Sequence, residues 1–93
     1  MLITLDPAKS ERNARERDLP FGRAADFDWA HALMAEDERR DYGENRFLAT
    51  GSLDGRIHVL CFVPVPGGIR VISLRKANMR EVRKYEKTTS TDQ

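Results

Sequence analysis

A two-residue reversal, Asp54–Gly55, joins two strand-like runs and constrains this chain more than any other stretch. The Asp-Gly pair tolerates the positive φ that a tight hairpin needs. Arg46 to Ser52 leads into it. Arg56 to Val63 leads out and is apolar on both faces, with Ile57, Val59 and Cys61 on one and Leu60 and Phe62 on the other. A strand covered on both faces belongs in the middle of a sheet. Pro64–Val65–Pro66–Gly67–Gly68 marks the next turn. The β-branched residues Ile69, Val71 and Ile72 then open a last strand that ends near Arg75. Ala30 to Ala35 supplies a further strand, which makes a meander. Its core is expected to hold Ile57, Val59, Leu60, Phe62, Val71 and Ile72.

Helices flank this meander. Asp6–Pro7 is a helix start, with Asp as N-cap and Pro in the first turn. The helix it opens runs to about Arg17, is mostly charged, and must lie on a surface. Leu19–Pro20 ends it. Phe21 to Phe27 places Phe21, Ala24, Ala25 and Phe27 at helical spacing, which predicts a second short helix. Trp29 reads as a core or interface anchor, and Ile3–Thr4–Leu5 as a short strand. After the last strand, Asn78 and Glu81 form a capping-box pattern. Met79, Val82 and Tyr85 then give the closing helix a narrow apolar stripe. The expected fold is α+β, with an antiparallel four-stranded sheet, two N-terminal helices and one C-terminal helix. One domain is expected over residues 1–87, with a disordered tail over 88–93.

Charge is distributed unevenly. The chain of 93 residues carries a net charge of only +1. Yet Arg70 to Lys87 holds seven Lys/Arg against two Asp/Glu, while Asp26 to Glu44 holds seven Asp/Glu against two Lys/Arg. The basic corner between last strand and last helix suits a polyanion or an acidic protein. The two segments could also pair within one fold. A single cysteine, Cys61, excludes an internal disulfide, and its apolar surroundings mark it as a buried, inert thiol. Metal-ligand spacing, a Gly-rich phosphate loop and a Ser/His/Asp set are all missing from the sequence. His31 and His58 have no partner at a telling interval. Ser73 with Arg75–Lys76 is the best polar cluster. The chain shows no signal peptide and no apolar run of membrane-spanning length, so a cytoplasmic location is expected.

Two long stretches carry a family resemblance. Asp37–Glu38–Arg39–Arg40–Asp41–Tyr42–Gly43–Glu44–Asn45–Arg46–Phe47 resembles the D-D-R-x-D-Y-G-E-x-R-F signature of the BrnT family. Arg70–Val71–Ile72–Ser73–Leu74–Arg75–Lys76–Ala77 resembles its R-I-I-S-A-R-K-A, followed by the matching Arg80–Glu81 and Tyr85–Glu86. Asp6–Pro7–Ala8–Lys9 with Asn13 is similar to its D-x-x-K-x-x-x-N helix. Arg17–Asp18–Leu19–Pro20 departs from the family's usual K-H-G-V. Arg40 stands where the family often has His. If either of those histidines transfers protons in relatives, another group must do so here.

The resemblance implies a RelE-like fold and a ribonuclease toxin of a type II toxin–antitoxin pair. It implies an RNA substrate, neutralisation by a ribbon-helix-helix antitoxin of the BrnA type, and operator DNA reached only through that antitoxin. It implies cleavage without metal or cofactor, in which the ribose 2′-OH attacks the neighbouring phosphate. Such a reaction needs a base, an acid and cations for the phosphorane charge. On that reading Arg70, Arg75 and Lys76 hold phosphate. Arg46, Arg80 and Ser73 assist RNA binding, Glu38 acts as base, and Tyr85 or Lys76 acts as acid. The competing class is a non-catalytic module that only binds RNA or a partner protein.

Overall fold

A computed structural model describes residues 1–90 of the chain. In order, the elements are β1 (Leu2–Thr4), α1 (Pro7–Arg17), 3-10 turns at Phe21–Asp26 and Trp29–His31, β2 (Leu33–Glu36), β3 (Phe47–Leu53), β4 (Arg56–Val65), β5 (Gly68–Lys76) and α2 (Met79–Ser90). The described strands form one five-stranded sheet in the order β1-β5-β4-β3-β2. β4 is central, flanked by β3 and β5, and the hairpin turn between β3 and β4 has positive φ at both Asp54 and Gly55. Val59, Leu60, Phe62 and Val71 are buried, as the apolar pattern predicts.

Three expectations are corrected. The sheet is mixed and has five strands, because β1 pairs parallel to β5 (Leu2↔Gly68, Ile3↔Ile69, Thr4↔Arg70). Three residues are too few to show a period, so a short strand is readable there but its sheet partner is not. The approach is possible because Gly68 has no side chain: a Cβ there would overlap the Leu2 backbone. The second helix is a 3-10 turn, Phe21–Asp26. With three residues per turn, it stacks Phe21, Ala24 and the flanking Phe27 on one buried side and leaves Ala25 exposed. The third correction is that β2 begins only at Leu33, after the 3-10 turn Trp29–His31.

One sheet face carries the core. Leu53, Leu60 and Leu74 are its largest fully buried side chains. Phe21, Ala24 and Phe27 cover them, and Trp29 seals the edge with its rim against Phe27 (4.9 Å) and Phe62 (5.4 Å). The Trp29 indole N–H donates to the Ala24 carbonyl (3.0 Å). α1 buries no residue at all; polar bonds pin it instead. The Asn13 side-chain amide donates to the Leu19 carbonyl (2.7 Å) and the Leu74 carbonyl (2.8 Å), tying the helix to β5. The Ser10 hydroxyl accepts the Phe21 N–H (2.9 Å). Asp6 caps the start through the N–H groups of Ala8 and Lys9, and Asp18 ends the helix in the left-handed conformation (φ 57°).

A β-bulge interrupts β5. Phe62 pairs with Val71 and Cys61 with Ser73, so Ile72 is the extra residue. It is therefore only half-buried, as is Ile57 on the face away from the core, so both lie near the core rather than within it. That second face is crossed by α2, whose capping box forms as predicted: the Asn78 N–H donates to Glu81 and the Glu81 N–H to Asn78, each at 2.9 Å. α2 continues through Thr88, Thr89 and Ser90, where a disordered tail was expected; residues 91–93 lie outside the described residues.

Gly68→Ala should expel β1 from the sheet and spare the β2–β5 meander. The cost should be about 2 kcal/mol, in the range of backbone clashes. Hydrogen exchange would show the Leu2 amide, which donates to the Gly67 carbonyl at 3.0 Å, losing protection while the β4 amides keep theirs.

Candidate functional site

The bulge at Ile72 sorts the polar residues of β5. In an unbroken strand, residues an odd number apart face opposite ways. With one extra residue, Val71 and Leu74 both reach the core, and Arg70, Ser73 and Arg75 share the opposite face. Lys76 does not join them. It lies across from His58 and borders Arg17, Asp18 and Leu19 at the end of α1. Arg75 and Lys76, adjacent in sequence, thus serve different surfaces.

The loop between β2 and β3 folds against the face of Arg70 and Arg75 and pairs most of its charge there. Asp37 is buried (5% exposed). Its carboxylate accepts from Arg39 Nε and Nη2 (2.7 Å each) and from the Tyr42 hydroxyl (3.2 Å). The Arg39 guanidinium holds it well below the usual carboxylate range. Glu44 accepts from Arg70 Nη2 (2.6 Å) and Arg46 Nε (3.1 Å), and these two arginines lower its pKa, Arg70 most. Arg46 also stacks on Tyr42, with 4.0 Å from the guanidinium carbon to the ring centre. Two guanidinium groups on one carboxylate leave a positive charge over, with unused N–H donors.

That surplus borders an open cleft of about 430 Å³ between β5 and the start of α1, where Lys9 joins Arg46 and Arg70. Lys9 was quoted in the sequence only as part of a helix motif. Its distance from Arg70 in the chain hid its place here, and only the fit of D-x-x-K-x-x-x-N beside the R-I-I-S-A-R-K-A stretch could have suggested it. Arg75 is held differently. Its Nη1 and Nη2 donate to the two oxygens of Glu81 at 2.8 and 2.9 Å. Glu81 is thereby pulled down to about 2, first by Arg75 and further by the Asn78 N–H. Ser73 is exposed across from Cys61, whose thiol is pushed up by burial.

The other sequence candidates are scattered. Glu38 is exposed and makes no side-chain hydrogen bond or ion pair among the described residues. Tyr85 stands one helical turn beyond Glu81 and donates to the His31 carbonyl (3.2 Å), bordering a cleft with Leu33, Leu48 and Val59. Arg80 is exposed on α2. Among the described residues no three His, Cys, Asp or Glu side chains stand close enough to hold a metal, and no helix is long and apolar enough to cross a membrane.

The fold is a small mixed sheet with Arg70 and Arg75 on one strand face, each paired to a carboxylate. The chain belongs to the BrnT family: residues 5–81 match the family model for BrnT, the ribonuclease toxin of type II toxin–antitoxin systems. It is accordingly a ribonuclease toxin with a cognate antitoxin. No individually curated protein matches it.

The Arg75–Glu81 pair makes acid stability predictable. A carboxylate whose folded pKa lies below its unfolded value stabilises the fold above the unfolded pKa and loses that contribution as pH falls through the folded one. For Glu81 the window runs from about 4.5 down to about 2. Glu81→Gln should cost about 1–2 kcal/mol at neutral pH, since the pair is only partly shielded. It should also flatten the loss of stability across that window, measured by denaturant unfolding followed through Trp29 fluorescence.

Proposed function

We propose that this chain cleaves RNA without a metal ion, with the phosphate held on the face of Arg70 and Arg75. The observation that carries this reading is the bulge at Ile72, which puts Arg70, Ser73 and Arg75 on one rigid strand face beside Arg46 and Lys9. Guanidinium groups supply paired donors to phosphate oxygens. Charge fixed before the reaction is what stabilises a phosphorane. Glu44 and Glu81 hold the two arginines in place until a phosphate competes for the spare donors. Ser73 is free to donate to the same backbone, and Arg80 steers RNA from α2.

The proton transfers fall to an exposed carboxylate and to a hydroxyl on α2. Glu38 sits in the loop between β2 and β3, next to the Asp37–Arg39 pair, and takes the 2′-OH proton. The 2′-oxygen then bonds to phosphorus, the bond from phosphorus to the 5′-oxygen breaks, and Tyr85 on α2 returns a proton to that oxygen, Lys76 being turned to the other face. The products are a 2′,3′-cyclic phosphate and a 5′-hydroxyl. The cognate antitoxin is a BrnA-type ribbon-helix-helix protein, and operator DNA is bound through it. The fold is RelE-like, one domain covers residues 1–87, and the protein works in the cytoplasm.

Purified protein should cleave RNA in the presence of chelator. Activity that chelator abolishes and a divalent ion restores would sink the metal-free mechanism, and folded protein that binds RNA but leaves it intact would be a binding module. Arg70→Ala should cost about a hundredfold in cleavage rate, the loss of one aimed donor. Lys84→Ala, on the exposed surface of α2, should cost only a few-fold and less at high salt. Equal damage from the two, at matched stability, would move the site onto the helix.

A further inference from the structure

The far end of the α1–β5 seam holds a second cationic pocket, unconnected to the arginine face. It is bordered by Arg17, Arg23, Arg56 and Lys76 against two carboxylates, Asp18 and Asp54. Arg23 is spent on Asp26 (3.1 Å) and Asp54 (2.7 Å). Arg17, Arg56 and Lys76 are exposed and form no ion pair among the described residues. At the base of this pocket lies His58, only 4% exposed.

The tautomer of the neutral imidazole is set by the backbone. His58 Nδ1 is 2.8 Å from the Arg56 carbonyl oxygen. A carbonyl can only accept, so Nδ1 carries the proton and Nε2 of the neutral ring is an acceptor. Nε2 has no partner among the described residues, and no side-chain nitrogen or oxygen buried from solvent lacks one. It follows that Nε2 opens into the pocket. In that neutral form, a nearly buried acceptor beneath three unpaired cations would meet the oxygens of a bare phosphate lone pair to lone pair. It suits a group that presents an anion and a hydroxyl donor side by side.

We propose that this pocket binds a ribose 3′-phosphate of RNA, with Arg17, Arg56 and Lys76 on the phosphate and His58 Nε2 accepting the 2′-OH. The 2′-hydroxyl is the group that separates RNA from DNA, so the pocket selects RNA. It rests on the ribonuclease reading only for its substrate. Arg17, at this pocket, stands about 12 Å further along α1 than Lys9, by the rise of the helix. The two places can therefore be occupied by one strand running along the seam. His58 acts here as a binding residue, and cleavage stays on the arginine face.

The test uses nucleotides that cannot be cleaved. Isotope-labelled protein is titrated with adenosine 3′-monophosphate, its 2′-deoxy counterpart and inorganic phosphate, while the His58 ring nitrogens are followed by NMR. The ribonucleotide should bind about fivefold more tightly than the deoxynucleotide, the worth of one hydrogen bond, and it alone should shift Nε2. Arg56→Ala should weaken both nucleotides alike. His58→Leu should erase the preference, and His58→Gln, which keeps an acceptor oxygen, should restore part of it. Equal binding of the two nucleotides by the unaltered protein, or a preference that survives in folded His58→Leu, would overturn the proposal. RNA cleavage is assayed alongside: no cleavage with the preference intact would defeat the ribonuclease reading alone, and cleavage without the preference would defeat the pocket alone.

Discussion

One extra residue in β5 governs how this chain divides into an inside and an outside. Val71 and Leu74 are three apart, an odd number, yet both are buried. Only the bulge at Ile72 reconciles them. Without it, one of the two would turn to solvent at a cost of roughly 2 kcal/mol of lost burial, and every polar side chain beyond it would change face. The same irregularity therefore satisfies the core and assembles Arg70, Ser73 and Arg75. Stability and site geometry are two results of one local feature, so neither can be altered independently of the other.

The opposed charges of the two halves are resolved within the molecule. Glu44, from the acidic segment, joins Arg70 from the basic one at 2.6 Å. Asp37 takes Arg39 and Tyr42 from its own loop, and Glu81 takes Arg75 across the strand–helix corner. The side chains of Glu44 and Glu81 are each 28% exposed. At that depth an ion pair positions its members more than it stabilises them. What these carboxylates provide is direction: each arginine keeps one orientation at little net energetic gain, and a competing anion meets donors already aimed.

Much of the fold was legible because its signals are local. The Asp54–Gly55 turn, the doubly apolar β4, the Asp6 cap and the Asn78–Glu81 box each depend on a few neighbouring residues. What escaped depends on distant ones. β1 was expected as a short strand, but its parallel place beside β5 exists only because Gly68 leaves room for it, and Phe21–Asp26 follows a 3-10 path because residues three apart must all face the core. For the site, the strand-end arginines were visible, yet their grouping was not, since alternation alone would set Arg75 and Arg70 on opposite faces. Lys9 and His58 were hidden for a related reason: each gains meaning from a partner strand, not from its own stretch of sequence.

The parallel pairing of β1 with β5 also sets when the cleft between α1 and β5 can form. Leu2–Thr4 must wait for Gly68–Lys76 before it has anything to bind. The first and last strands therefore close the sheet together, the slow, non-local end of folding. Lys9 and Arg70 meet only then. A chain still under synthesis thus lacks the cleft of Lys9, Arg46 and Arg70, which takes shape only once β5 has emerged.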